Sequence, residues 1–198
     1  MQPHAPHRYI LLGLIGFFLA FSLTADYRRA ADYFFGDEAV YYMMAQSIAF
    51  DADLKYTARD LQRVYADGWH AGPLGIFLSK LENGKIIYAK YPAYSLFLAP
   101  FVAIFGFNGF MVFNVLLWGA VIWMGWAYLR QFNPPGRALF VSITFFTLSA
   151  SFIYTFWVTP ETFNMFCITC GLFLWLYGRE ADPPGPTAPH LRSGRSRG

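Results

Sequence analysis

Charge is scarce in this chain of 198 residues. Asp, Glu, Lys and Arg make up 14% of it, where a soluble domain carries about a quarter. With 56% hydrophobic and 21% aromatic residues, the shortage excludes an ordinary soluble domain and points to a membrane protein. Cysteine is nearly absent. Cys167 and Cys170 lie in one apolar helical stretch with no second pair and no nearby histidine, so helix packing explains them better than a metal or redox role. No glycine-rich phosphate loop occurs, so the familiar nucleotide sites are not indicated, and nothing points to nucleic acid. The net charge of +3 says little until it is mapped onto loops.

Tyr9 to Ala25 is an apolar run of 17 residues preceded by His4, His7 and Arg8. It is longer than a usual signal core, and the residues around Ala25 make a poor cleavage site. The expectation is a retained signal-anchor helix with a cytoplasmic N-terminus. From Asp26 to Lys90 the chain is polar, with eight basic residues, Arg28 and Arg29 among them, against nine acidic ones, Asp32 included. A long, nearly neutral loop suits the outer side of a membrane.

Within that loop, Gly36-Asp37-Glu38 opens a helical run through Ile48. Carboxylates at a membrane surface are costly unless paired, metal-bound or catalytic. Val40, Met44 and Ile48 repeat at helical spacing, which predicts an amphipathic helix resting on the bilayer with Glu38, Tyr42 and Gln46 toward water. Asp37 then stands at the helix entrance. A plain N-cap explains it as well as a functional carboxylate does. Further on, Asp51-Ala52-Asp53 reads as a turn. Thr57 with Asp60 is a capping-box pattern, and Gly68 closes that short helix. Ile76 to Ile87 reads as a hairpin around Asn83-Gly84.

Four stretches read as spans, at about 9–25, 109–129, 138–158 and 162–177, with an outer loop over 26–108. Tyr91–Phe107 is ambiguous. If it crosses, Arg130, Arg137 and the arginine-bearing tail fall outside; if it lies in the interface, they fall inside, and Glu161 joins Asp37 on the outer face. The positive-inside rule favours the interface and two cytoplasmic termini. The expectation is an all-α membrane protein of about four transmembrane helices, with interfacial helices and a small hairpin in a long first extracytoplasmic loop. Residues 180–198 mix proline, glycine and arginine and read as a disordered tail.

Four segments together resemble the polytopic GT-C glycosyltransferases, such as protein O-mannosyltransferases and the lipid A aminoarabinose transferase. They are Gly36-Asp37-Glu38, Asp51-Ala52-Asp53, the run from Lys90-Tyr91-Pro92 to Pro100, and Trp157-Val158-Thr159-Pro160-Glu161. Their order and spacing cover about residues 9 to 178. The resemblance implies transfer of a sugar from a polyprenyl-phosphate donor to an acceptor on the outer face of a membrane, a bacterial inner membrane in particular. It implies that Asp37, beside Glu38, is the general base. Lys90 and Tyr91, with Lys80 or Lys85 as alternatives to Lys90, would meet the lipid phosphate; interface anchoring explains these lysines equally well. Glu161 would orient the acceptor or share a divalent cation, Mg or Mn, with Asp37; its plain alternative is a helix start after Pro160. Family members run to about ten or more spans, so the expectation is an amino-terminal part that needs a carboxy-terminal half or a second subunit and has no transfer activity alone. The competing reading is a non-catalytic integral membrane protein, either a degenerate relative or an accessory subunit.

Overall fold

The computed structural model describes residues 5–27 and 33–179. Arg28, Arg29 and Asp32 of the polar loop and the 180–198 tail lie outside the described residues. The chain is mostly helical. Helix α1 (Ala5–Thr24) leads to a short strand β1 (Phe34–Phe35), then α2 (Gly36–Asp51) and α3 (Ala58–Ala66). Strands β2 (Pro73–Leu74), β3 (Leu78–Lys80) and β4 (Ile86–Tyr88) follow. Helices α4 (Ala93–Phe105), α5 (Gly109–Leu129), α6 (Pro135–Leu148), α7 (Ser151–Tyr154) and α8 (Glu161–Arg179) complete it.

Helix α2 is the hub. Every residue from Ala39 to Ser47 is buried, which corrects the expectation of a surface helix with Glu38, Tyr42 and Gln46 in water. The reason lies in its composition: Ala39 to Ala45 carries no charge on any side, and a helix apolar all round is buried all round. Its polar groups find partners instead. Tyr42 Oη and Gln46 Nε2 both donate to Asp67 Oδ2, at 3.0 and 2.8 Å, and Ser47 Oγ donates to Asp53 Oδ1 at 3.2 Å. Met43, Met44 and Tyr42 are fully enclosed, each contributing about 1.5–3 kcal/mol over an exposed position. Phe34 stacks on Trp69 at 4.9 Å, and Phe107 closes on Tyr42 at 4.6 Å. Parallel pairing of β1 with β2 (Phe34 with Pro73, Phe35 with Leu74) fixes how the chain enters α2.

The loop elements form where the local chemistry asks for them. Thr57 and Asp60 make the full capping box of α3, and Ala52 takes the left-handed conformation (φ 56°) as α2 ends. The hairpin pairs Leu78 with Tyr88 and Lys80 with Ile86. Its loop is three residues long rather than two. The Gly84 amide bonds Leu81 O at 2.9 Å, the Leu81 amide bonds Lys85 O at 2.8 Å, and Gly84 alone in the turn has positive φ (79°). That is a type I turn closed by a glycine bulge.

Two helical stretches are long and apolar enough to cross a membrane, Pro6–Thr24 and Ala93–Leu129, and they suggest membrane association. Inside the second stretch the chain reverses at Gly106 (φ 58°). Helix α4 therefore folds back on α5, bringing the Phe101 ring 5.0 Å from Phe113. A Cβ on Gly109 would fall 2.4 Å from the Phe101 carbonyl oxygen, so only glycine permits this approach. With 13 residues, α4 is about 20 Å long, short of the roughly 30 Å hydrocarbon core. The stretch expected as one span over 138–158 is broken: α6 stops at Leu148 and Ser149 is extended (ψ 157°). Ser149 Oγ bonds back to Phe146 O at 3.3 Å and also meets Ser151 Oγ. Such local side-chain bonds compete with the helix ladder. Helices α1, α6 and α8 leave large apolar side chains exposed, among them Phe17, Phe140, Phe145, Leu148 and Trp175, as lipid-facing helices do.

Candidate functional site

Asp37 is the second residue of α2. Phe35 holds the N-cap position, and no side chain caps this end. The plain capping role for Asp37 therefore does not hold; its carboxylate is free to turn outward from the first turn, where the helix dipole favours an anion. It meets Lys90, which ends the hairpin and precedes α4. Lys90 Nζ lies 2.8 Å from Asp37 Oδ1 and 3.0 Å from Oδ2, and 4.8 Å above the centre of the Phe77 ring. The hydrogen bond to Asp37 raises the Lys90 pKa above its ordinary value against a small opposing cost of burial, with the charges of Asp37 and Glu161 and the Tyr41 phenol adding to it.

Glu161 opens α8 in its first turn and is exposed, near enough for its charge to act on Lys90 and Tyr41. The structure thus gathers Asp37, Lys90 and Glu161 from three distant segments. Tyr41, one turn after Asp37 on the same helix face, completes the group. It is 8% exposed. Its pKa is raised first by burial, with Lys90 opposing and the two carboxylates adding to the rise.

Glu38 is turned to another side of the helix. Tyr27 Oη donates to Glu38 Oε1 at 2.9 Å, and burial raises the Glu38 pKa, against the lowering effect of that bond. Glu38 thereby fastens α2 to the end of α1. Tyr91 is 90% exposed and can meet a ligand only from outside the fold. Lys80 and Lys85 flank the hairpin turn and are exposed.

As a cation site, the pair Asp37 and Glu161 fits poorly. Lys90 occupies both Asp37 oxygens, and among the described residues no three His, Cys, Asp or Glu side chains come together to hold a metal ion. A divalent ion would have to displace an ammonium from a two-carboxylate set, whereas hard cations ordinarily gather six or more oxygens.

Tyr41, Phe77 and Tyr27 were not singled out by the sequence. Each is one aromatic in a chain that is 21% aromatic, and only the folded contacts distinguish them. Taken together, fold and site define a helical chain, two stretches of which are long and apolar enough to cross a membrane, with a carboxylate–lysine pair at the start of a buried helix. No protein-family model, curated protein or solved structure matches the chain.

Proposed function

We propose that this chain is a GT-C-type membrane glycosyltransferase, or part of one, that uses a polyprenyl-phosphate sugar donor on the outer face of a bacterial inner membrane. In this reading the bundle has four spans, the third made of α6 and α7 together across the break at Ser149, with α4 lying in the interface and both termini cytoplasmic. The observation that carries the proposal is the Asp37–Lys90 pair, which joins two of the segments that bear the family resemblance, with Glu161 from a third nearby.

The chemistry asks one group to take a proton and another to receive negative charge. Asp37 accepts the proton of an acceptor hydroxyl as its oxygen bonds to the sugar's anomeric carbon. The bond from that carbon to the phosphate oxygen breaks, and the lipid phosphate leaves with the electron pair. Lys90, held against Asp37 before the donor binds, then turns its ammonium to the departing phosphate. Glu161 orients the acceptor.

The same pair suits a non-catalytic relative, in which it only ties the hairpin to α2. Membranes carrying the full reading frame, supplied with a labelled polyprenyl-phosphate sugar, separate the two. Asp37-dependent release of polyprenyl phosphate with label appearing on an acceptor supports the enzyme. Label that stays on the donor in wild-type membranes supports the accessory or degenerate protein.

A further inference from the structure

Between α1 and α5, at the end of the bundle away from Asp37, lies an open slot of about 500 Å³. Its wall is apolar, with Leu11, Leu12 and Ile15 on one side and Gly119, Ala120 and Trp123 on the other. Arg8 is the one charged residue of the lining, which Trp126 also joins. Trp126 also carries the guanidinium of Arg130 over its ring, 5.2 Å from the centre, while its indole N–H is held by Pro135 O at 3.2 Å. The ring is thus fixed, with Arg8 in the lining of the slot and the Arg130 guanidinium held over another lining residue. Ile15 packs so closely on Gly119 that a Cβ there would meet it at 2.6 Å, so the two helices touch at this point.

Charge decides the occupant. The acidic residues among those described are Asp26, Asp37, Glu38, Asp51, Asp53, Asp60, Asp67, Glu82 and Glu161. All belong to the polar loop or to the start of α8, so no described carboxylate neutralises Arg8 and Arg130. Guanidinium groups at an apolar slot complement a molecule with one anionic head and a hydrocarbon tail, and basic pockets between membrane helices on the cytoplasmic side suit anionic headgroups.

We propose that this slot binds one anionic phospholipid, its phosphate between Arg8 and Arg130 and an acyl chain along Leu12, Ile15 and Ala120. The proposal rests on the membrane orientation given above, with this end at the cytoplasmic leaflet. It is tested with the full chain purified in detergent and titrated with phosphatidylglycerol or phosphatidylcholine, lipid retention being read by native mass spectrometry. Phosphatidylglycerol should be retained in preference to phosphatidylcholine, with about fivefold weaker binding for each of Arg8→Gln and Arg130→Gln. Arg59→Gln, exposed in the polar loop, should leave the preference intact. Equal retention of the two lipids, or an unchanged preference in the arginine variants, overturns the site. A slot protected from lipid by a further helix, seen as a cross-link from Leu12→Cys to protein rather than to a photoreactive lipid, overturns it too. Failure of the underlying orientation shows differently: a reporter fused after Arg137 would read external.

Discussion

Lys90 Nζ bridges both oxygens of Asp37, at 2.8 and 3.0 Å, across 53 residues of sequence. The side chains are 28% and 44% exposed, and pairs this open to solvent are worth about 0.2–1 kcal/mol. Their stability value is therefore small, and a large effect on transfer has to come from chemistry.

Asp37→Asn should thus lower transfer by about a hundredfold to ten-thousandfold, the usual cost of removing a general base, while the melting temperature and protein level stay near wild type. Thermal melts run alongside the transfer assay check this. Near-normal turnover would return Asp37 to the role of a tie between α2 and the hairpin.

Lys90→Gln should weaken transfer by about a hundredfold through loss of leaving-phosphate stabilisation, and Lys90→Arg should restore part of it. Because the pair raises the Lys90 pKa, its stabilisation is fully present below the ordinary lysine value of 10.5 and is lost as pH rises through the raised value. Accordingly, no alkaline decline in kcat/KM due to Lys90 is expected below that pH. A Lys90→Gln variant with unchanged kinetics would leave the lysine as an interface anchor.

Glu38 works in the opposite sense to an ion-paired carboxylate. Its folded pKa is raised from 4.5 by burial, so the folded state holds the proton more tightly than the unfolded chain. Stability is then highest below 4.5 and falls as pH rises through the raised value. Glu38→Gln keeps an acceptor for Tyr27 without the buried charge. It should flatten the pH dependence above 4.5, leave the neutral-pH melting temperature equal or higher, and cost transfer less than Asp37→Asn. Melts across this pH range settle the sign.

Arg63 holds together the far end of the polar loop. It bonds Asp51 and, at 2.6 Å, Asp60, which is only 1% exposed. Removing the guanidinium leaves the Asp60 carboxylate buried without its cation, though still bonded by Thr57, so the loss should fall below the roughly 3–5 kcal/mol typical of a fully buried pair. Arg63→Met should open residues 51–67 to limited proteolysis, and replacing Asp60 by Asn in that background should recover part of the loss. Protease resistance equal to wild type would show that Asp60 is neutralised by other means.

Much of the loop was legible because its signals are local. Thr57 and Asp60 need only three residues to declare a capping box, and Gly84 only one turn to declare a hairpin. Helix α2 misled because its Val40, Met44 and Ile48 stripe is real but narrower than its apolar surface; the partners of Tyr42 and Gln46 come from Asp67, a tertiary contact. The break at Ser149 was hidden likewise, since the Ser-Ala-Ser segment lies in an unbroken apolar run and hydropathy averages over it. For the site, Asp37, Lys90 and Glu161 were visible as residues from the family resemblance. Their pairing was not, because only the packing of α4 on α2, where Ser95 Oγ donates to Tyr41 O at 2.8 Å, brings position 90 to position 37.

The topology proposed here makes a prediction that turns on α4. A helix of about 20 Å folded against α2 and α5 leaves α5 as the next crossing after α1, so Arg130 and Arg137 return to the side where Arg8 began. Reporters fused after Arg137 and after Arg179 should therefore read cytoplasmic, and one within Asp51–Lys85 should read external. Were α4 to cross instead, the loop between α5 and α6 would face outward with two arginines, against the positive-inside rule. Glu161 would then be carried to the membrane face opposite Asp37. That arrangement conflicts with Asn108, just before α5, whose Nδ2 donates to Leu23 O and Ala25 O at the far end of α1, at 3.3 and 3.2 Å. An external reading at Arg137, with an external reading in Asp51–Lys85, would remove Glu161 from the proposed site and with it the acceptor-orienting group.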